Sequence, residues 1–213
     1  MGTQAYKFRH IWAKYPVSRF SKYLSKANPS APPKMKLSHI LSLIPLFLMG
    51  IPSGATRLSS GLTDREAIID TVLAFGQSLD DKNDTLMRSV TTQGIIFDGT
   101  LFADIGLGAP EPLVGQDVVA SSLLGVLTMA TSHHLGNFRI QPLDLNRANL
   151  TAYVLAHHHK QLEDPRQNPR NLYVMGNRWQ AAVVKDKGNW KLGWLKILPV
   201  WQSGNIAVMG LEE

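Results

Sequence analysis

The chain has 213 residues, 22 Lys and Arg against 16 Asp and Glu, and no cysteine. That length suits one domain of ordinary size plus a tail, and the absence of cysteine excludes disulfides and thiolate sites. The formal charge of +6 is concentrated at one end: residues 1–55 hold eight basic and no acidic residues, leaving 14 basic against 16 acidic beyond them, a balance of −2. A mildly acidic body lacks the basic footprint of a nucleic-acid partner, and none is expected.

In chain order, residues 1–55 read as a targeting leader with the signal peptide at 35–55, followed by a single domain over 56–213. Met35 and Lys36 open a short basic region, an apolar run extends from Leu37 to Ile51, and small Ser53 and Ala55 stand where a signal peptidase reads. The run is interrupted by His39 and Pro45 and is short for a hydrocarbon core of ~30 Å, so no stable membrane span is expected in the mature form. The expected destination is the secretory pathway, with mitochondrial import or a retained signal anchor as alternatives. The sequons Asn83-Asp84-Thr85 and Asn149-Leu150-Thr151 are compatible with that route.

A first helix is predicted over 62–79. Thr63 and Glu66 form a capping-box pair, and Ile68, Ile69, Val72, Leu73 and Phe75 recur at helical spacing. A turn and a short second helix carry Leu86, Met87 and Val90. "GIIFDGTLF" (94–102) then reads as a strand broken by a turn at Asp98-Gly99. Residues 104–116 form a Gly/Pro-rich loop. "QDVVASSLLGVLTMA" (116–130) is a third helix with Val118, Val119, Leu123, Leu124 and Leu127 on one side. Four long strands follow at 131–141, 147–160, 172–185 and 189–201, the last two joined as a hairpin by Asp186-Lys187-Gly188. Helices first and antiparallel strands afterwards predict an α+β fold, three N-terminal helices packed on a curved, mainly antiparallel sheet that forms a cone-shaped pocket.

Five of the seven histidines fall in two of these strands: His133 and His134, and His157, His158 and His159. Alternate residues of a strand share a face, so His157 and His159 go with Tyr153 and Leu155 while His158 points the other way. At least one histidine from each segment therefore faces the concave side. In an apolar pocket an imidazole passes protons near neutral pH, as enolisation, dehydration or double-bond migration requires. A carboxylate beside it would set its tautomer. A metal reading competes, because His157-x-His159-x3-Glu163 has cupin-like ligand spacing. Thr151 and Arg170, however, stand where the flanking glycines of that motif belong, and helices first does not suit a double-stranded barrel. No metal and no cofactor are expected.

The ordered set Asp80 in "SLDDKND", Thr131-Ser132-His133 in "TSHHLGN", His159 closing "TAYVLAHHH", and Gly188-Asn189-Trp190-Lys191 resembles the SnoaL-like, scytalone-dehydratase-like branch of the nuclear-transport-factor-two-like superfamily. The resemblance covers roughly residues 62–204. It implies His133 and His159 as an acid/base pair and Asp80 as the carboxylate that orients one of them. The tyrosine that precedes the helix-end Asp in scytalone dehydratase is Leu79 here. A second family tyrosine falls near Asp98-Gly99, and polar positions of the penultimate strand fall at Asn177 and Trp179. A different substrate is therefore expected, contacted by Tyr153, Asn137 and Trp179. The expected function is a cofactor-free lyase, isomerase or cyclase acting on a small hydrophobic, polyketide- or terpenoid-like molecule in secondary metabolism. A non-catalytic binding or dimerisation module of the same fold is the alternative. A homo-oligomer is expected, pairing through the open sheet face around Trp194 and Trp201.

Overall fold

The computed structural model describes residues 61–160 and 171–210. The expected leader and signal peptide, and Glu163 of the cupin-like spacing, lie outside these residues. Three helices and six strands follow in the order α1 (Asp64–Asp80), α2 (Asp84–Val90), β1 (Thr91–Asp98), β2 (Leu113–Val114), α3 (Gln116–Val126), β3 (Ala130–Asp144), β4 (Arg147–His159), β5 (Leu172–Asp186) and β6 (Asn189–Gly204). They form the expected α+β layout, with a curved, unclosed six-stranded sheet. Strand order is β2-β1-β6-β5-β4-β3. Every neighbouring pair is antiparallel except β1 with β6.

The predicted capping box starts α1: the Thr63 hydroxyl accepts from the Glu66 backbone, and the Glu66 carboxylate accepts from the Thr63 N–H at 2.8 Å. One stripe of α1 (Ile68, Val72, Phe75, Leu79) is buried against the sheet, as residues three and four apart on a helix must be to share a face. Asp64 accepts from the Lys185 ammonium at 2.7 Å and the Trp190 indole at 2.9 Å, tying the start of α1 to the β5–β6 hairpin. That hairpin turns on two residues, Lys187 and Gly188, both with positive φ, between the paired Asp186 and Asn189. This is the geometry that matches strand twist in a tight hairpin.

Several details differ from the sequence reading. β1 begins at Thr91 and ends at Asp98, whose carboxylate accepts from the Thr100 hydroxyl at 2.7 Å and the Thr100 N–H at 3.2 Å. This side-chain turn breaks the strand, and Thr100–Ile105 continue as a 3₁₀ helix. Leu113–Val114 add a two-residue edge strand within the predicted loop. On α3 Gln116, Val119 and Ala120 are buried, while Val118 is exposed. The core lies between the helices and one sheet face, where Phe75 of α1 meets Trp179 of β5 edge-on at 6.0 Å.

Candidate functional site

α1 ends on Asp80 one helical turn beyond Gly76, and the two share a face of the helix. A Cβ at Gly76 would lie 2.9 Å from Leu135 and 3.8 Å from the Cβ of His133, so the glycine lets α1 approach β3 closely where Asp80 must reach across. β3 is an edge of the sheet, where outward N–H groups lack a ladder partner. Asp80 takes one of them: its Oδ2 accepts from the His133 N–H at 2.8 Å. Its Oδ1 accepts from the Thr131 hydroxyl at 2.9 Å and lies 2.6 Å from His133 Nδ1.

Burial would push the Asp80 carboxyl up. The hydrogen bonds from the His133 ring and backbone, the attraction of that imidazole and the Thr131 bond outweigh it, and hold Asp80 below the ordinary carboxylate range. An ionised carboxylate only accepts, so the proton between the two groups resides on His133 Nδ1, and in the neutral imidazole Nε2 is then the acceptor. The His133 side chain is 8% exposed and that of Asp80 23%. The imidazole sits among groups of the helix-facing side of the sheet, 6.2 Å from Trp179 and 6.1 Å from His158, centroid to centroid.

His158, rather than His159, is the histidine that β4 contributes to this face. In the β3–β4 register His133 lies opposite Ala156 and Thr131 opposite His158, whereas Ser132 pairs with His157 and Ala130 with His159. Directly opposed residues share a face, which puts His159 with His157 on the far side. There both rings are partly exposed, and both Nδ1 atoms lack a partner. The expectation that His133 and His159 share the concave face is corrected accordingly. The sequence does contain the deciding signal: Ala148, Leu150, Ala152, Val154 and Ala156 form an unbroken apolar column at period two, all of it buried, and the next member is His158. The alternate column, from Asn149 to His159, mixes polar and apolar residues.

His158 is 4% exposed and its Nδ1 lies 3.2 Å from the Tyr173 carbonyl. A carbonyl cannot donate, so Nδ1 carries the hydrogen and Nε2 is the acceptor. Burial first, then the neighbouring His133, push its pKa down to about 4, against the raising effect of the Tyr173 bond. His158 is therefore a neutral imidazole near pH 7.

The expected substrate contacts divide in the same way. Trp179 is buried on the helix side with its Nε1 unpartnered, and Asn177, two residues earlier on the same face, has an unpartnered buried Oδ1. Tyr153 is 51% exposed on the opposite face, with the Arg178 guanidinium 5.5 Å from its ring centroid. Asn137 is exposed at φ +53°, where the β3–β4 register shifts. The bulge there breaks the regular alternation of faces along β3. Among the described residues, no three His, Cys, Asp or Glu side chains are grouped to hold a metal ion, and no helix is long and apolar enough to cross a membrane.

Comparison with known proteins accords with this architecture. Terrestric acid biosynthesis cluster protein E of Penicillium crustosum is 24% identical over 167 residues, which is 76% of this chain and 99% of that protein. The structure of the Kfla4162 protein of Kribbella flavida superposes with a TM-score of 0.58 at 22% identity, covering 70% of this chain and 97% of that one. A candidate scytalone dehydratase of Novosphingobium aromaticivorans superposes with a TM-score of 0.54 at 19% identity, covering 70% and 95%. The SnoaL-like domain matches residues 60–195, well over half of the sequence, and this chain belongs to that family.

Proposed function

We propose that this protein catalyses dehydration, isomerisation or cyclisation of a polyketide- or terpenoid-like small molecule in secondary metabolism, with His133 as the base and Asp80 as the carboxylate that orients and charges it. The observation that carries the reading is the Asp80–His133 contact of 2.6 Å on the apolar, helix-covered face of the sheet. The likeness to a biosynthesis cluster protein and to a candidate scytalone dehydratase supports the substrate class and the reaction type.

In a dehydration, His133 Nε2 removes the proton from carbon adjacent to a carbonyl. The electron pair forms the new double bond, and the imidazolium returns that proton to the departing hydroxyl, so that water leaves and the enzyme is regenerated. Asp80 stabilises the imidazolium in between, as a carboxylate at hydrogen-bond distance does. His158 Nε2, held neutral, accepts a hydrogen bond from the substrate. The Trp179 indole N–H, buried and unsatisfied, can donate to a substrate carbonyl, and the unsatisfied Asn177 Oδ1 can accept from a substrate hydroxyl.

The test is deuterium exchange. A panel of β-hydroxycarbonyl compounds is incubated with the protein in D₂O and followed by mass spectrometry. Wild type incorporates deuterium at the α-carbon and eliminates water, whereas His133→Gln does neither. Undiminished exchange by His133→Gln would place the base elsewhere. If wild type exchanges no member of the panel, the non-catalytic binding module becomes the better reading.

A further inference from the structure

Just past α1 the backbone adopts a conformation that favours glycine, and the residue there is a lysine. Lys82 has φ +53°. Its N–H meets the Leu79 carbonyl at 3.4 Å and the N–H of Asn83 meets the Ser78 carbonyl at 2.9 Å. These are the paired bonds of a helix ending whose left-handed position is ordinarily glycine, because any Cβ is strained there.

The lysine side chain supplies what glycine could not. Its ammonium donates to the Leu79 carbonyl at 2.9 Å and to Thr131 Oγ1 at 3.0 Å. An ammonium cannot accept, so the Thr131 oxygen is the acceptor of that bond. The one hydroxyl hydrogen must then point at Asp80 Oδ1, 2.9 Å away. The direction of the whole chain, Lys82 to Thr131 to Asp80 and on to His133, is fixed at its first member.

We propose that Lys82 is a positioning residue of the proton-transfer site, which through Thr131 orients and polarises the carboxylate that holds His133. The proposal rests on the function proposed above. The charged and titratable groups around the ammonium are Asp80 and Asp81 at the end of α1, His133 on β3 and His158 on β4. Burial draws the Lys82 ammonium down, the charges of Asp80 and Asp81 oppose that, and the Lys82 charge in turn disfavours protonation of His158. Asp81 is itself bonded by the Gln77 amide at 3.1 Å, which leaves Asp80 as the carboxylate wired to the lysine. Without Lys82 the Thr131 hydroxyl can rotate away and the nearby cation is gone. Asp80 then becomes more basic and draws harder on the Nδ1 proton of His133.

The test is the downfield proton resonance of His133 Nδ1–H in the full chain, assigned by its loss in His133→Gln and followed in Lys82→Met, Lys82→Gly and Thr131→Val. All three variants are expected to move it further downfield, and Lys82→Arg to hold it nearer the wild-type position. Lys82→Gly relieves the backbone strain, so its thermal midpoint should stay at or above wild type and separate wiring from folding. A resonance that stays put in Lys82→Gly and Thr131→Val would overturn the proposal and reduce Lys82 to a helix cap. The signal needs no substrate, so this outcome is independent of the exchange experiment, and a failure of either reading is told apart from a failure of the other.

Discussion

The two faces of β4 carry neighbouring histidines into opposite surroundings. On the helix side His158 is enclosed, bonded to the Tyr173 carbonyl and beside His133, with its pKa pushed down to about 4. On the far side His157 packs edge-on against His134 at 5.4 Å, and His159 follows two residues later, both partly exposed and both with an unpartnered Nδ1. Burial, and secondarily the neighbouring His134 and His159, also lower His157, but among the described residues no carboxylate is bonded to that group as Asp80 is to His133. The same side chain thus becomes three chemical objects: a carboxylate-bonded imidazole at His133, a neutral acceptor at His158, and partly exposed rings at His157 and His159. What distinguishes them is the partner each face supplies. As residues of the triplet they look alike, and only the apolar column that precedes them marks His158.

The largest effect that separates the faces should come from the Asp80–His133 pair. Asp80→Asn is expected to lower turnover by about 10²–10⁴-fold, the usual worth of a positioned acid–base group, while His159→Gln stays within about twofold of wild type. Steady-state kinetics on a compound that passes the exchange experiment decides it. Equal losses in both variants would end the distinction between the faces.

A pH series sharpens the comparison next. His158 is protonated in the unfolded chain below about 6.5 but stays neutral in the fold down to about 4. Between those values the unfolded state binds more protons, so stability falls as pH falls. The contribution is complete above about pH 6.5 and is lost towards pH 4, amounting to up to about 3 kcal/mol. Denaturant midpoints at pH 7 and pH 5 should differ in wild type. The difference should shrink in His158→Gln and persist in His159→Gln.

The smallest effect is structural and lies on the far face. A Cβ at Gly176 would sit 2.2 Å from the Trp201 indole nitrogen, so the ring lies directly over that backbone. Trp201 is already 51% exposed and can swing outward. Gly176→Ala is therefore expected to cost about 1 kcal/mol, the low end for overpacking, with a red shift in tryptophan emission and turnover unchanged. A loss of activity would show that the two faces communicate.

Much of this molecule was legible in its sequence because the signals are local. The Thr63–Glu66 box starts α1, the apolar stripe gives its buried face, and Lys187-Gly188 closes the last hairpin. Asp80 at the helix end and His133 on the first long strand were both identifiable as site candidates. Asn137 and Tyr153 were misplaced for a reason of the same kind: a bulge at Asn137 and the parity of β4 decide their faces, and neither is announced by the residue itself. The role of Lys82 was hidden because a lysine after a helix ordinarily reads as a solvated charge. Only its left-handed backbone and its reach to Thr131 set it apart.

The sequence by itself determined the three helices and four long strands, their order, the α+β layout and the set of residues able to move protons. Tertiary structure decided which of them meet. A strand has a side-chain period of two, so a one-residue difference in register exchanges every inward group for an outward one. Within the triplet His157-His158-His159 the composition is identical at each place. The choice fell to the buried column from Ala148 to Ala156, which must face the helices to leave water and carries His158, not His159, in with it.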